Sequence, residues 1–338
     1  MIENIRLSLV VDMCGCPNRC KHCWLGHMPN TKMKDDIDEW IVNYFKPYFK
    51  HIAYYSWLRE PDFIENYRER WIKDKKLSVE STPMRFELAS FYRLVRDPEY
   101  VEFLKEVGTK IVQLTFFGLE QLSDKYIGRK GAFNELLEAS EILIENGIAP
   151  RWQCFINEEN KNEIIDVLKL SEKLKLSERC REFGEEFKFF VHPGSCDGEN
   201  YKLYDIRLNK MNIPNELRPY MLDIDEYYSE SELVEMLKND ESIVDFDYGN
   251  DLVLNISNNL DVYYNFTHMK KSWCIGNLEN EEPEDLIRKV INYDVDAINK
   301  AKNISIAELV KQFGNATSDR MFAIDDYKMY LLLKYLSD

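Results

Sequence analysis

The chain has 338 residues, 45% of them hydrophobic and 13% aromatic, enough to bury a sizeable core in one large α/β domain or a domain with an appendage. Its formal net charge of −16 repels a phosphate backbone and argues against a nucleic-acid partner. No apolar stretch approaches the roughly 20 residues of a membrane span. The start, MIENIRLSL, lacks the basic head and long apolar centre of a signal peptide. A cytoplasmic location is therefore expected, where the eight cysteines stay reduced as ligands or free thiols.

In chain order, short apolar runs predict strands at Ile5–Val11, His51–Trp57, Arg85–Leu88, Ile111–Phe117, Arg151–Ile156 and Phe187–His192. Helical patterns fill the gaps. PEYVEFLKEVG opens on Pro98, suited to a first helical turn, and closes at Gly108. FNELLEASEILIENG puts Phe133, Leu136, Leu137, Leu143 and Ile144 on one face and ends at Gly147. NEIIDVLKLSEKL repeats the pattern with Ile164, Val167, Leu168 and Leu174. Strands followed by helices predict parallel β–α units over residues 1–198, which right-handed crossovers would curl into a full or partial barrel. Chemistry then belongs at the C-terminal ends of the strands. Residues 199–245 are polar and turn-rich, an insertion or linker. DLVLNISNNLDVYYNF reads as a β-hairpin, and residues 246–338 as a small α+β extension ending in helices.

Directly after the first strand comes MCGCPNRCKHCWLG. Cys16, Cys20 and Cys23 form C-x3-C-x2-C, with Cys14 two residues earlier. Three soft thiolates on a loop can hold three irons of a [4Fe–4S] cluster and leave the fourth iron open for a ligand. Structural zinc on all four thiolates is the alternative, although such sites pair two knuckles across a longer stretch. That would make the chain a non-enzymatic zinc-binding protein. Cys14 packs at the strand end on the cluster reading and is the fourth ligand on the zinc reading.

C-x3-C-x2-C after the first strand of a β–α series resembles the radical S-adenosylmethionine (radical SAM) superfamily. The resemblance implies an α/β fold with a partial (β/α)6, TIM-like barrel over residues 1–198, and a [4Fe–4S] cluster on Cys16, Cys20 and Cys23. It implies an open iron that chelates the amino and carboxylate groups of S-adenosylmethionine, and cleavage of that cofactor to a hydrogen-abstracting 5′-deoxyadenosyl radical. A ferredoxin- or flavodoxin-type electron donor is implied with it. The family carries an aromatic residue before its third cysteine; here His22 stands there. Its Gly-Gly-Glu-Pro after the second strand is LREP here, with Leu58 and Arg59 in place of the glycines and Glu60 and Pro61 kept. Glu60 is the expected partner of the cofactor's ammonium. DKYIGRKGAF resembles the loop whose basic residue meets the cofactor carboxylate, which nominates Arg129; a solvated loop charge is the plain alternative. Gln153 and Asn157, amides at a strand end, suit ribose hydroxyls. Cys154, beside Gln153 on the opposite face, packs in the wall.

On the substrate side, VHPGSCDGE places His192, Ser195, Cys196 and Asp197 after the last strand. Glu87, Glu120 and His192 are candidate acids or bases. Cys196 is a candidate hydrogen-atom donor, as in some radical peptide epimerases. The hairpin and CIGNLENE resemble the SPASM/twitch extension of radical SAM enzymes. Only Cys274 lies in that stretch, with Cys180 and Cys196 upstream, too few for an auxiliary cluster. Tyr263, Tyr264, His268 and Trp273 are then candidate substrate contacts or core residues. FELASFYRLVRDPEY, TFFGLE and GRKGAF resemble radical SAM dehydratases of aminoglycoside type. The expected substrate is a polar small molecule, a carbohydrate or cationic sugar, undergoing dehydration; a peptide-modifying maturase or epimerase is the alternative.

Overall fold

The computed structural model describes residues 2–34, 36–85, 87–196, 198–247, 249–264 and 269–337, with side chains from residue 5 onward. The strands are β1 (Ile2–Val11), β2 (Phe49–Tyr55), β3 (Ile111–Phe116), β4 (Ala149–Phe155), β5 (Lys188–His192), β6 (Tyr227–Ser229), β7 (Asp251–Ile256), β8 (Asp261–Tyr264), β9 (Gly276–Asn277) and β10 (Met321–Ala323). The helices are α1 (Ile37–Phe45), α2 (Tyr67–Leu77), α3 (Phe91–Leu94), α4 (Pro98–Glu106), α5 (Glu120–Ile127), α6 (Ala132–Glu145), α7 (Lys161–Lys173), α8 (Leu176–Glu182), α9 (Glu230–Leu237), α10 (Pro283–Asn292), α11 (Asp296–Ala301), α12 (Ile306–Phe313) and α13 (Ile324–Tyr335). The α/β class with parallel strands is as expected. The chain divides into two compact units, Met1–Pro17, Leu25–Met84 and Ser242–Ser305 in the first, and Asn18–Trp24, Arg85–Glu241 and Ile306–Asp338 in the second.

In the first unit the sheet order is β2-β1-β7-β8-β9. β1 runs parallel to both β2 and β7, and the β7–β8 and β8–β9 pairs are antiparallel. Alternation explains β1: Leu7, Leu9 and Val11 are fully buried, while the residues between them are not. α2 packs on β2. Arg70 and Lys73 of α2 reach buried Asp38 of α1 at 2.9 and 2.7 Å. Asp74 of α2 accepts from Ser56 N–H and Oγ, both at 3.0 Å, and so fixes the chain as it leaves β2. Burial pushes the Asp74 carboxyl up to about 7.

In the second unit β3, β4 and β5 form a parallel sheet, with Thr115 opposite Gln153 and Phe155 opposite His192. Val112, Leu114, Phe116, Trp152, Cys154 and Val191 point to one face and are buried; α6 packs on β3 and β4. Gln113, Thr115, Arg151, Phe155 and His192 alternate onto the other face and are half-buried. β6 pairs with β10, and α9 begins at a capping box in which Ser229 Oγ and the Glu232 carboxylate each take a backbone N–H.

Two expectations need revision. The predicted strand at Arg85–Leu88 includes Phe86, which lies outside the described residues, and its described members form no strand. Glu87 still lies beside β3, its carbonyl accepting from Gln113 N–H at 2.8 Å. One such bond is an edge contact, too little for a ladder. The hairpin forms as β7 and β8, but β7 joins the N-terminal sheet beside β1, so the compact units do not follow the boundaries 1–198, 199–245 and 246–338. Residues 306–338 fall in the second unit, where α12 and α13 pack on α9. Among the described residues no helix is long and apolar enough to cross a membrane.

Candidate active site

The C-x3-C-x2-C motif divides between the units, Cys16 with the first and Cys20 and Cys23 with the second. All three are half-buried and outside any disulfide, as is Cys14.

Around Cys16 the grip is on the backbone. The Asn30 side chain accepts from Cys16 N–H at 3.1 Å and donates to Cys16 C=O at 2.8 Å. Gly15, at φ +93°, makes room for that clamp; a Cβ there would stand 2.2 Å from Asn30 Oδ1 and 2.7 Å from Arg59 Nη2. Arg59 binds Asp12, at the end of β1, through Nε at 3.1 and 3.2 Å and Nη2 at 2.8 Å. It also donates to Met28 C=O at 2.8 Å and Pro29 C=O at 3.1 Å, next to Asn30. Both charged side chains are buried, 4% and 1% exposed. The LREP departure thus has a use: Arg59 ties β1 to the 28–30 loop that holds Cys16. Glu60 is half-buried, its Oε2 3.8 Å from Cys16 Sγ.

Around Cys20 and Cys23 the grip is again on the backbone. α5 ends with carbonyls that have no partner inside the helix. Arg19 N–H and Lys21 N–H donate to two of them, Ile127 C=O at 2.9 Å and Tyr126 C=O at 2.8 Å. Gly128, left-handed, permits the approach, since a Cβ there would lie 2.6 Å from Arg19 C=O. Arg129 donates from Nε to buried Asn18 at 2.9 Å and forms two contacts with Glu135 at 2.7 Å. The residue nominated for the cofactor carboxylate is therefore occupied in holding the motif loop. On the other side Glu199 N–H donates to Cys23 C=O at 2.7 Å, and Gly198 lies so close that a Cβ would stand 2.2 Å from the carbonyls of Cys23 and Trp24. Asp197 lies outside the described residues.

His22 sits under two aromatic rings, Phe117 at 4.4 Å and Phe155 at 4.3 Å, with Phe117 stacked on Tyr126. Its Nδ1 is buried with no partner among the described residues. Burial, with His192 nearby, pushes His22 down to about 3. The cavity at this point, shared by His22, Asn157, Asn200 and Arg207, is roughly 20 Å3, room for about one water. Asn157 is buried; its amide donates to Tyr126 OH at 3.0 Å and its carbonyl takes Glu159 N–H and Asn160 N–H, so it turns the chain into α7. Arg207 is buried and donates to Met321, Gly194 and Ser195 carbonyls at 2.6, 3.0 and 3.3 Å.

Across the other face of the β3-β4-β5 sheet runs a line of polar side chains, with Gln153 buried at its centre. Glu87 pairs with Arg151, Arg151 donates to Gln113 at 2.5 Å, Gln113 meets Gln153, and Gln153 meets His192 Nε2. Gly194 N–H donates to His192 Nδ1 at 3.1 Å. Burial, with Arg207 nearby, pushes His192 down to about 4, so it is neutral at physiological pH and acts as an acceptor.

Of the expected site residues, the second unit collects His22, Glu87, Gln153, Asn157 and His192 with Cys20 and Cys23. Cys196 is buried at 3% exposure, just beyond β5. Glu120 opens α5, is exposed, and accepts from Asn134 at 3.3 Å. Cys154 is fully buried on the helix side, its thiol pushed up by burial. Tyr263, Tyr264 and Trp273 are buried in the first unit, as core residues are, and His268 lies outside the described residues. Sequence reading missed Asn30, Asp12, Gln113, Arg151 and Arg207. An arginine and two amides at alternate strand positions were the available signal for the polar line; Asn30 left none.

Residues 10–170 match the family description "Radical SAM superfamily". Fe-coproporphyrin III synthase of Methanosarcina barkeri is 33% identical over 84 residues, 25% of this chain and 21% of that protein. The sporulation killing factor maturation protein SkfB of Bacillus subtilis is 37% identical over 73 residues, 22% of this chain and 18% of that protein. This chain thus aligns with about a fifth of each curated relative's length. A solved structure described as native anSMEcpe with bound AdoMet superposes at a TM-score of 0.47, with 12% identity over 98% of this chain and 97% of that one; a likeness that loose carries nothing about substrate. The donors fit the group this family uses. Three soft sulfur donors, none in a disulfide, stand on a loop whose backbone is held at Cys16 by Asn30, beside Cys20 by α5, and at Cys23 by Glu199 N–H. Among the described residues no three His, Cys, Asp or Glu side chains gather as one metal ion requires. The chain therefore carries a radical SAM domain over residues 10–170, of the superfamily whose enzymes use a [4Fe–4S] cluster and S-adenosylmethionine.

Proposed function

We propose that the chain is a radical SAM enzyme that abstracts hydrogen from a peptide and so takes part in its maturation. When bound, the cluster and S-adenosylmethionine supply the hydrogen-abstracting radical. The chain's own residues bind, orient and shield. Cys16, Cys20 and Cys23 are the cluster ligands. Glu60, beside Cys16, takes the cofactor's ammonium. His22, between Phe117 and Phe155, offers a flat apolar wall for the nucleobase. Gln153 and His192 present neutral hydrogen-bonding groups to the substrate. A soluble one-electron donor of the ferredoxin or flavodoxin kind completes the reaction.

The observation that carries the substrate class is the 37% identity over 73 residues with a maturation protein. It favours the peptide alternative over the carbohydrate-like small molecule that the sequence suggested. A second reading, a non-sugar small molecule, is supported by the 33% identity with a porphyrin synthase. The test is anaerobic reconstitution followed by incubation with S-adenosylmethionine, a reductant and short peptides encoded next to the gene. 5′-Deoxyadenosine that rises with peptide, and a peptide changed in mass or stereochemistry, supports the proposal. 5′-Deoxyadenosine that rises only with a porphyrin or an aminoglycoside overturns it.

A further inference from the structure

The polar line on the β3-β4-β5 face carries one hydrogen too many. It has four links: Arg151 to Gln113, Gln113 to Gln153, Gln153 to His192, and His192 to Gly194 N–H. Each link needs one donor and one acceptor. The two ends, a guanidinium and a backbone N–H, can only donate. Gln113, Gln153 and a neutral His192 each bring one donor and one acceptor to the links they join. The line therefore holds about five donors and three acceptors for four links, by the donor inventory of these groups. Turning either glutamine amide, or moving the imidazole proton, shifts the surplus along the line and never removes it. Protonating His192 adds a further donor. The Arg151 Nε–H is a separate case on the same face, buried with no partner among the described residues.

We infer that this face is a subsite for an sp2 oxygen, the amide carbonyl of a bound peptide, and that Gln153 donates to it. A carbonyl brings acceptors only, which is what the line lacks; a hydroxyl brings another hydrogen. Glu87 already neutralises Arg151, the cation on the line, so a neutral oxygen is preferred to a carboxylate. Arg207 gives three of its five N–H groups to the carbonyls of Met321, Ser195 and Gly194. Gln113, Gln153 and His192 come from neighbouring parallel strands, so the subsite sits on rigid elements rather than on a loop. The peptide as the source of the carbonyl rests on the proposed function; the need for an acceptor does not.

The test uses the full reconstituted chain and N-methylacetamide, the smallest peptide-bond mimic, with sodium acetate and glycerol as carboxylate and hydroxyl arms. The thermal midpoints of the wild type, Gln153→Leu and Gln153→Glu are followed against each additive, and wild-type crystals are soaked with N-methylacetamide. Gln153→Glu balances the line at about four donors and four acceptors by the same inventory and so leaves no call for a ligand; it also covers the case in which Gln153→Leu fails to fold. Saturable stabilisation of the wild type alone by N-methylacetamide, with its oxygen against Gln153 in the crystal, is the expected result. Equal responses in all three chains, a response to acetate or glycerol alone, or an amide whose N–H faces Gln153 overturns the inference. If peptides fail to raise 5′-deoxyadenosine while the N-methylacetamide response persists, the peptide reading falls and the carbonyl subsite stands.

Discussion

Replacing Arg59 with Met tests how the first unit holds Cys16. The substitution keeps the apolar stem and removes a guanidinium that binds Asp12 through two nitrogens and the Met28 and Pro29 carbonyls through two hydrogen bonds. Asp12, 1% exposed, is left as an unpaired buried carboxylate. Breaking one side of a buried pair costs about 3–5 kcal/mol, a large share of the roughly 5–15 kcal/mol that stabilises a typical domain. Arg59→Lys keeps the charge but not the fork, and should lose about 1–3 kcal/mol. Urea denaturation followed by tyrosine and tryptophan fluorescence measures both. The Asp12→Leu/Arg59→Met double variant should recover much of the stability, because no charge is left stranded, yet still take up iron poorly, since the 28–30 loop has lost its tie. A loss under about 1 kcal/mol for Arg59→Met, the range of an exposed pair, would refute the reasoning, as would full iron uptake by the double variant.

Three further outcomes follow from the same geometry. Gly198→Ala would push a methyl into the Cys23 and Trp24 carbonyls, 2.2 Å away, and should lower iron content after reconstitution while the far-ultraviolet circular dichroism stays that of the wild type; normal iron content would contradict the account. Arg129→Lys keeps the charge but cannot span Asn18 and both Glu135 oxygens, so the cluster absorbance should bleach faster in air than in the wild type; an unchanged rate would place Arg129 outside the loop's support. His192 falls from 6.5 to about 4 on folding, so its contribution is intact above pH 6.5 and is lost as the pH drops toward 4, where the folded state at last takes the proton. That difference is worth about 3 kcal/mol by linkage. Between pH 6.5 and 4 the stability of His192→Phe should fall less steeply than that of the wild type; parallel profiles would contradict it.

Local patterns were readable in the sequence. Five of the strand runs form within a few residues of where alternation put them, because a half-buried strand must alternate whatever it pairs with. The cysteine spacing was readable for a similar reason: its ligands lie on one short loop. What depends on distant pairing was not. Nothing in DLVLNIS says that it will lie beside β1 and not only beside its own hairpin partner. Glu87, Gln113, Arg151, Gln153 and His192 form one line only once the register of three strands is fixed. Arg59 read as a departure from a glycine pattern because its partners, Asp12 and the 28–30 loop, lie roughly 30 to 47 residues away. Arg129 matched a motif, and its charge is spent on Glu135, a pairing that the motif does not encode.

The most direct measurement compares single alanine variants at Cys14, Cys16, Cys20 and Cys23 after anaerobic reconstitution, with iron, zinc and 5′-deoxyadenosine counted in each. The account predicts about four irons per wild-type chain, as a [4Fe–4S] cluster requires, retained with S-adenosylmethionine cleavage in Cys14→Ala. Both should be lost in Cys16→Ala, Cys20→Ala and Cys23→Ala. One zinc per chain that depends equally on all four cysteines, with no 5′-deoxyadenosine from the wild type, would contradict it.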